Sequence, residues 1–444
     1  MLCVLLGGIL VLAAWARLRN IGSSTVLQDS IGPFWAALRG DGRTHAPGYG
    51  VGLLAPYWIM LVTAASLWGA VCGLAWIHAV VAVVGAFITR LRLHSSLFAA
   101  GVVGAILALD NGLVGSVLSG AEGYFAPLWI GVAVATSGAL SWIAYAMAVA
   151  NHPLAICGLP LMFRNGGFRR SDRLGVAIAV AMIAHQASGL GGGGVPEHDV
   201  LSAWAGAFRE SPAGTVAMVV GPLAGLWAPQ TRRLAVGVMA SVSLLCLAGS
   251  HLDYLRDHHL RIFIVPAIAC WAAAPRLGCF IALAATVAFP IAHRPPEVEL
   301  RAGTLSLNSA LSDKVSSLPT PLVVDRAWLS GGPGAEPAGV MLDLVLRGWD
   351  EEQLNTSGGA LIIVAADEED IGQVGLPGTV IVEGHGFAAV YATQPAIRTW
   401  SESVCQRTPK LGGAWDALSV LQPELTVNEV RDWWACRSAR GSTL

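Results

Sequence analysis

Over the first 293 residues, apolar runs follow one another with only short polar breaks. They lie at about 51–67, 70–89, 95–109, 124–150, 153–163, 174–190, 213–229, 233–250, 260–274 and 277–293. Apolar runs without period-2 alternation predict membrane-spanning helices. Many are shorter than the ~20 residues that a bilayer crossing takes, so the pattern predicts about ten to twelve crossings with loose boundaries. The run at 124–150 reads as a broken hairpin. One more run opens the chain, residues 2–16, ending in Ala14-Trp15-Ala16. That ending suits a signal peptide, but no basic stretch precedes it, which favours an uncleaved first helix.

Beyond about residue 295 the pattern changes. Short β-rich runs bounded by turn residues predict strands at 321–325, 360–365, 379–383 and 387–391, and helices at 339–346, 397–405, 414–421 and 427–437. Thr426 and Glu429 form a capping box for the last of these. The expected organisation is a transmembrane domain over 1–295, with a first outer loop at 18–50, followed by a soluble α/β domain over 296–444. The soluble part contains no P-loop, dinucleotide-binding glycine fingerprint or nucleophile elbow. "GLGGGG" (189–194) lacks the Lys-Ser/Thr of a P-loop and reads as a hinge, and "GGPGAEP" (331–337) reads as a loop.

Composition sharpens this division. Only 13% of residues are charged, against about a quarter in ordinary soluble chains. Of the 56 charged side chains, 26 fall in residues 1–293 and 30 in the remainder. The net charge of −2 suggests no nucleic-acid partner. Six of the eight cysteines (Cys3, Cys72, Cys157, Cys246, Cys270 and Cys279) lie in apolar segments, where a thiol behaves as a small hydrophobe. Cys405 and Cys436 are the only ones in the soluble part; they are either a disulfide or two free thiols.

Arginine placement sets an orientation. Putting Arg90 and Arg92, "RNGGFRRSDR" (164–173), Arg232-Arg233 and Arg276 inside places the intervening loops and the C-terminal domain outside. Arg17, Arg19, Arg39 and Arg43 then lie in an outer loop, against the rule. Exposed basic residues on that side suggest an anionic ligand, unless the parity is off by one. The polar outliers collect on the same face: Asp29, Asp41, His45, Asp110, Glu122, His152, Glu197-His198-Asp199 and "HLDYLRDHHLR" (251–261).

The loop after the first apolar run carries Asp29, then Trp35, then Asp41, His45, Pro47 and Tyr49 in the order D-x-x-x-H-x-P-x-Y. "ANHPLAICGLPL" (150–161) and "HHLRIFIVPAIACWAA" (258–273) follow in the membrane half. Together these resemble, in order, the first outer loop and later helix starts of the GT-C membrane glycosyltransferases, especially the protein-mannosyltransferase and aminoarabinose-transferase branch. The family loop reads Asp-Glu, spacer, Asp-x-His-Pro-Pro-Leu-Tyr. Here Ser30 stands in place of the glutamate, and His-Ala-Pro in place of His-Pro-Pro. The resemblance implies a bacterial inner-membrane enzyme with a periplasmic C-terminal domain. It would transfer a sugar from a polyprenyl-phosphate donor to an envelope lipid, glycan or protein, with inversion.

Such a transfer needs a carboxylate to take the acceptor proton, and cations or a metal to hold the departing phosphate. Asp29 is the expected base, and a helix N-cap is its competing role. Asp41 is a second acid or an Asp-Gly turn residue. His45 and Tyr49 are expected to touch substrate, as is His152, for which helix capping is the alternative. Arg256, His258, His259 and Arg261 make the densest cationic patch on the outer face, suited to a lipid-linked phosphate or to an interfacial belt. Asp110 and Glu122 are the acids that the resemblance links to a divalent metal such as Mg or Mn; solvated helix ends are the alternative. His78 is expected to be a buried polar contact. Two further functions stay open, a lipid-sugar transporter or flippase and a non-catalytic scaffold; the one-sided clustering of polar residues argues against the transporter.

Overall fold

The computed structural model describes residues 1–19, 21, 34, 37–38, 57–60, 63–114, 125–163, 170–187, 200–252, 255, 257–273, 305–315, 322–328, 337–349, 359–365, 379–384, 387–393 and 399. The chain divides into two compact units. One comprises Met1–Asn20, Gly32–Thr63 and Val71–Pro295; the other comprises Ile21–Ile31, Ala64–Ala70 and Pro296–Leu444.

The described residues of the first unit are helical throughout. In chain order they form α1 (Leu2–Leu18), α2 (Leu67–Phe87, whose first residues belong to the second unit), α3 (Leu97–Leu109), α4 (Ala126–Ala135), α5 (Ala139–Asn151), α6 (Arg173–Ala187), α7 (Val200–Glu210), α8 (Pro212–Gly225), α9 (Pro229–Leu252) and α10 (Ile264–Ala269). A π-helical turn, Ile88–Arg92, extends α2, and short helical turns from Asp257 to Ala273 continue α10 on both sides. The broken hairpin expected at 124–150 is α4 followed by α5, separated at Gly138, whose φ is +66°. The outer loop expected between the apolar runs 174–190 and 213–229 instead contains α7, an amphipathic helix that buries Ala203 and Ala207 and exposes Leu201 and Phe208.

Two helical segments, Leu67–Arg92 and Pro229–Gly249, are long and apolar enough to cross a membrane, with mean hydropathies of 2.3 and 1.5. The other apolar helices are shorter. Large apolar side chains such as Val4, Val11, Leu174, Val180, Trp227, Val236 and Leu247 are exposed on the outside of the bundle. An aqueous surface rarely tolerates so much, whereas lipid does. Lipid cannot drive helices together by hydrophobicity, so close approach of small residues and interhelical polar contacts must hold the bundle. Accordingly, Gly175 of α6 packs against the Ala139 carbonyl, and Gly221 of α8 against that of Ala267. Ser141 donates to Ala133 O over 2.5 Å, and Trp271 Nε1 to Ala217 O over 2.7 Å.

Both ends of the bundle are marked chemically. Arg92 donates to Ala135 O, the final residue of α4, over 2.5 Å. A cation there also meets the negative end of the helix dipole. α3 starts on that side and ends at Asp110, about 20 Å away at 1.5 Å per residue. The arginine pair Arg90 and Arg92 and the acid Asp110 thus stand at opposite ends of one helix.

Arg17 corrects the expected charge pattern. It is the penultimate residue of α1 and is fully buried, not a loop residue. Arg19, just beyond, lies 5.1 Å over the Trp15 ring.

In the second unit, α11 (Leu305–Val315) and α12 (Pro337–Leu346) accompany a four-stranded sheet. Its strands are β1 (Leu322–Trp328), β2 (Gly359–Ala365), β3 (Thr379–Gly384) and β4 (Phe387–Thr393) in the order β1-β2-β4-β3. β1 and β2 are parallel, so the chain must cross over between them, and α12 lies in that connection. β4 is antiparallel to both of its neighbours. All four strands fall where the β-rich runs predict them, and α12 overlaps the helix expected at 339–346. α11 was not among the expected helices. The expected helices at 414–421 and 427–437 lie outside the described residues, as does all but Thr399 of the one at 397–405. Arg347 ties the two helices together, pairing with Asp313 at 2.5 Å and with Asp343 at 2.9 Å. Burial draws this guanidinium down; Asp313 and Asp343 more than reverse that and hold it above its ordinary value. Asp343 also accepts the Leu67 amide over 2.6 Å, within this same unit.

Candidate functional site

The site is built where α3 ends, α7 meets α8 and the helical stretch 257–273 begins. α3 stops at "LDNGL" (109–113). Asp110 leaves the helix with extended backbone angles, and its Oδ1 accepts the Leu113 amide over 2.8 Å, a local turn that Asp favours. α7 stops and α8 starts within "RESP" (209–212). Pro212 at the first position of α8 needs no amide partner, and Ser211 bridges the two helices. The Ser211 hydroxyl does not cap α8; it donates to Asp110 Oδ2 over 2.5 Å.

Arg261 completes the cluster. Its Nε lies 3.7 Å from Asp110 Oδ1, its Nη1 2.5 Å from Glu210 Oε2, and its Nη2 donates to Ala207 O over 3.4 Å. Asp110 is 1% exposed and Arg261 4%. Two glycines make the room. A methyl group at Gly112 would overlap the Arg261 guanidinium, and one at Gly214 would overlap the Asp110 carboxylate. The arrangement buries one positive charge against two negative ones of unequal exposure, at one end of the bundle.

His259 precedes Arg261 by two positions on a helical stretch, so the two side chains leave on different sides. Arg261 turns to Asp110 and Glu210. His259 instead packs its ring on His152, with centroids 4.6 Å apart and planes inclined at 43°. Both imidazoles are buried. His152 sits between α5 and the 3₁₀ turn Pro153–Gly158, and its Nδ1 accepts the Leu154 amide over 3.2 Å. That is the capping role weighed for it. The cationic patch expected at 256–261 is thus divided: Arg261 joins the acids, and His259 joins His152. His258 lies in the turn Asp257–Leu260.

Asp29, Asp41, His45, Tyr49, Glu122 and Arg256 lie outside the described residues, as does the cluster Glu197-His198-Asp199. Among the described residues no group of three or more His, Cys, Asp or Glu side chains is placed to hold a metal. Asp110 in particular is surrounded by proton donors: an amide, a hydroxyl and a guanidinium. That donor set fits an arginine partner and does not fit metal ligation. Glu210 and Ser211 are members of the cluster that the sequence did not single out. Their one signal is an acid-Ser-Pro stop-and-restart between two helices.

His78 is the buried polar contact expected of it, since its Nδ1 accepts from Arg17 Nε over 3.0 Å. The described cysteines, Cys3, Cys72, Cys157, Cys246 and Cys270, are free thiols.

The described helices, two of them long and apolar enough to cross a membrane, form a fold similar to that of a solved glycosyltransferase. In particular, it is similar to the arabinofuranosyltransferase AftD from Mycobacteria, with a TM-score of 0.50 and 15% identity over 88% of this chain and 40% of that one. ArnT from Cupriavidus metallidurans, in the apo state, aligns with a TM-score of 0.41 and 11% identity over 89% of this chain and 98% of that one. At such identities the likeness is one of fold, and the chain spans 40% of the length of AftD. No family model and no curated protein matches the sequence.

Proposed function

We propose that the protein is a GT-C-type glycosyltransferase of the bacterial inner membrane. It takes its sugar from a polyprenyl-phosphate donor and passes it to an envelope acceptor, a lipid, glycan or protein, at the periplasmic face. The observation that carries this reading is Arg261, a guanidinium held at the end of an AftD-like helical bundle by Asp110 and Glu210. A lipid anchored in the membrane presents its phosphate at the depth of such helix ends, where arginine offers two parallel donors.

In the reaction, the acceptor oxygen attacks the anomeric carbon as the bond from that carbon to the phosphate oxygen breaks. Asp29 takes the acceptor proton, and Asp41 supports it. Arg261 receives the negative charge that collects on the leaving phosphate, with Arg256 and His258 in support, while His259 backs His152. His45, Tyr49 and His152 orient the substrates, and the C-terminal domain takes part in choosing the acceptor. Direct displacement inverts the anomeric centre. A divalent metal, where one serves, would be held through Glu122 and would supply further charge neutralisation of the phosphate; no step here is routed through it.

Replacing Asp29 with Asn and measuring sugar transfer from labelled lipid donors tests the assignment. Transfer is expected to disappear while binding of the donor persists. Full transfer by the variant would remove Asp29 as the base. The scaffold reading is favoured by one feature, Ser30 in place of the family's glutamate. It predicts no transfer by the unaltered chain from any lipid donor.

A further inference from the structure

Arg261 meets two carboxylates that differ in kind. Asp110 is buried and fixed from three sides, by the Leu113 amide at 2.8 Å, the Ser211 hydroxyl at 2.5 Å and the guanidinium itself. Gly214 leaves just the space that its carboxylate fills. Withdrawing Asp110 would strand a buried cation, which is the costly way to break such a pair. Glu210 has a side chain 41% exposed and stands on the last residue of α7. A carboxylate at a helix C-terminus faces the negative end of the dipole, an unfavourable term that the arginine offsets. The Glu210 side chain already borders water, so it can be solvated when another anion takes its place beside the guanidinium. The two acids also occupy different edges of the guanidinium, Asp110 at Nε and Glu210 at Nη1. An anion approaching from solvent therefore meets the Nη1 edge first and competes with Glu210, not with Asp110.

We propose that Glu210 is an exchangeable counter-ion of Arg261. The phosphate of a polyprenyl lipid displaces it from Nη1, while Asp110, locked by Ser211, is a positioning residue that holds the guanidinium in both states. The proposal rests on the reading that Arg261 meets the donor phosphate. The step is an exchange of one anion for another, with no covalent change. Its consequence is that the empty site carries its own negative occupant. This keeps the buried arginine neutralised and rejects anions too weakly bound to displace a neighbouring carboxylate.

The test is binding of undecaprenyl phosphate to the full chain in nanodiscs of neutral lipid, compared with phosphatidylglycerol. Glu210→Gln is expected to bind undecaprenyl phosphate about fivefold more tightly than the unaltered protein, since it removes the competitor and leaves Arg261 in place. Ser211→Ala is expected to bind it more weakly, and Ser211→Thr, which restores the hydroxyl, to recover it. A purely structural role for Ser211 would instead show as equal loss of thermal stability without a change in affinity. Equal or weaker binding by Glu210→Gln, with the unaltered protein binding well, overturns the exchange alone. An equal gain for phosphatidylglycerol overturns the assignment to a polyprenyl lipid. Absence of binding by the unaltered protein overturns both the exchange and the donor reading beneath it.

Discussion

Arg17 donates from Nε to Nδ1 of His78 over 3.0 Å, and both side chains are completely buried. Through Nη1 the same guanidinium also reaches Ala13 O at 3.0 Å and Ala108 O at 3.2 Å, so one residue joins α1, α2 and α3. Accepting at Nδ1 leaves the His78 proton on Nε2 and the ring neutral. Arg17→Met would remove the donor to both His78 Nδ1 and the Ala108 carbonyl. Loss of a buried donor costs about 1–3 kcal/mol, and a lower midpoint in thermal unfolding of the micelle-embedded protein is expected. Arg17→Lys, with a single compact charge in place of a fork, should fall between the two. An unchanged midpoint in Arg17→Met would show that the three helices are held by other means.

Gly112 bears on the site more directly. A methyl group there would coincide with the Arg261 guanidinium, so Gly112→Ala must expel the side chain from between Asp110 and Glu210. Sugar transfer is expected to drop about a hundredfold or more, the order of effect seen when a charge-stabilising donor is lost. The helical content by circular dichroism should be retained. Retained transfer would mean that Arg261 works from another position than the one it occupies here.

For His152 the competing roles can be separated chemically. His152→Ala removes the acceptor for the Leu154 amide and with it the cap of the turn Pro153–Gly158. Asparagine is a good cap, whereas alanine costs about 1 kcal/mol at such positions. His152→Asn should therefore restore stability lost in His152→Ala. Activity restored alongside it would assign His152 to capping, and activity still absent would assign the imidazole to substrate.

In the second unit the two partners of Arg347 should differ in worth. Asp313 is largely exposed, so Asp313→Ala is expected to change unfolding by less than about 1 kcal/mol. Asp343 is buried and also accepts the Leu67 amide, so Asp343→Ala should cost more, about 1–2 kcal/mol. The raised Arg347 guanidinium stabilises the fold while protonated, fully so below its unfolded value, and loses that contribution only as pH rises through its still higher folded value. Unfolding midpoints of Arg347→Ala and the unaltered chain should therefore run parallel between pH 7 and pH 9.

Much of this architecture could be read from the chain. The apolar runs marked the helices, because a segment in lipid must satisfy its own backbone and be apolar along its length. The β-rich runs 360–365 and 387–391 marked β2 and β4, because side-chain shape favours extended backbone locally. Arg261 and Asp110 stood out as charges among apolar residues. Glu210 and Ser211 did not, since an acid and a serine beside a proline at a helix junction are common, and their value here comes from being placed against residues about a hundred and fifty positions apart, Asp110 and Arg261.

The amino-acid sequence alone determined the apolar helices and the four strands, though not α7 or α11, and which residues carry unusual charge, because both follow from local composition. Only the tertiary structure decided how those charges pair. It buried Arg17 against His78, sent His259 to His152 and Arg261 to the acids, and made Asp110 the partner of an arginine. Pairing depends on which helix ends meet and on which side of a helix a residue leaves, and neither is a local property.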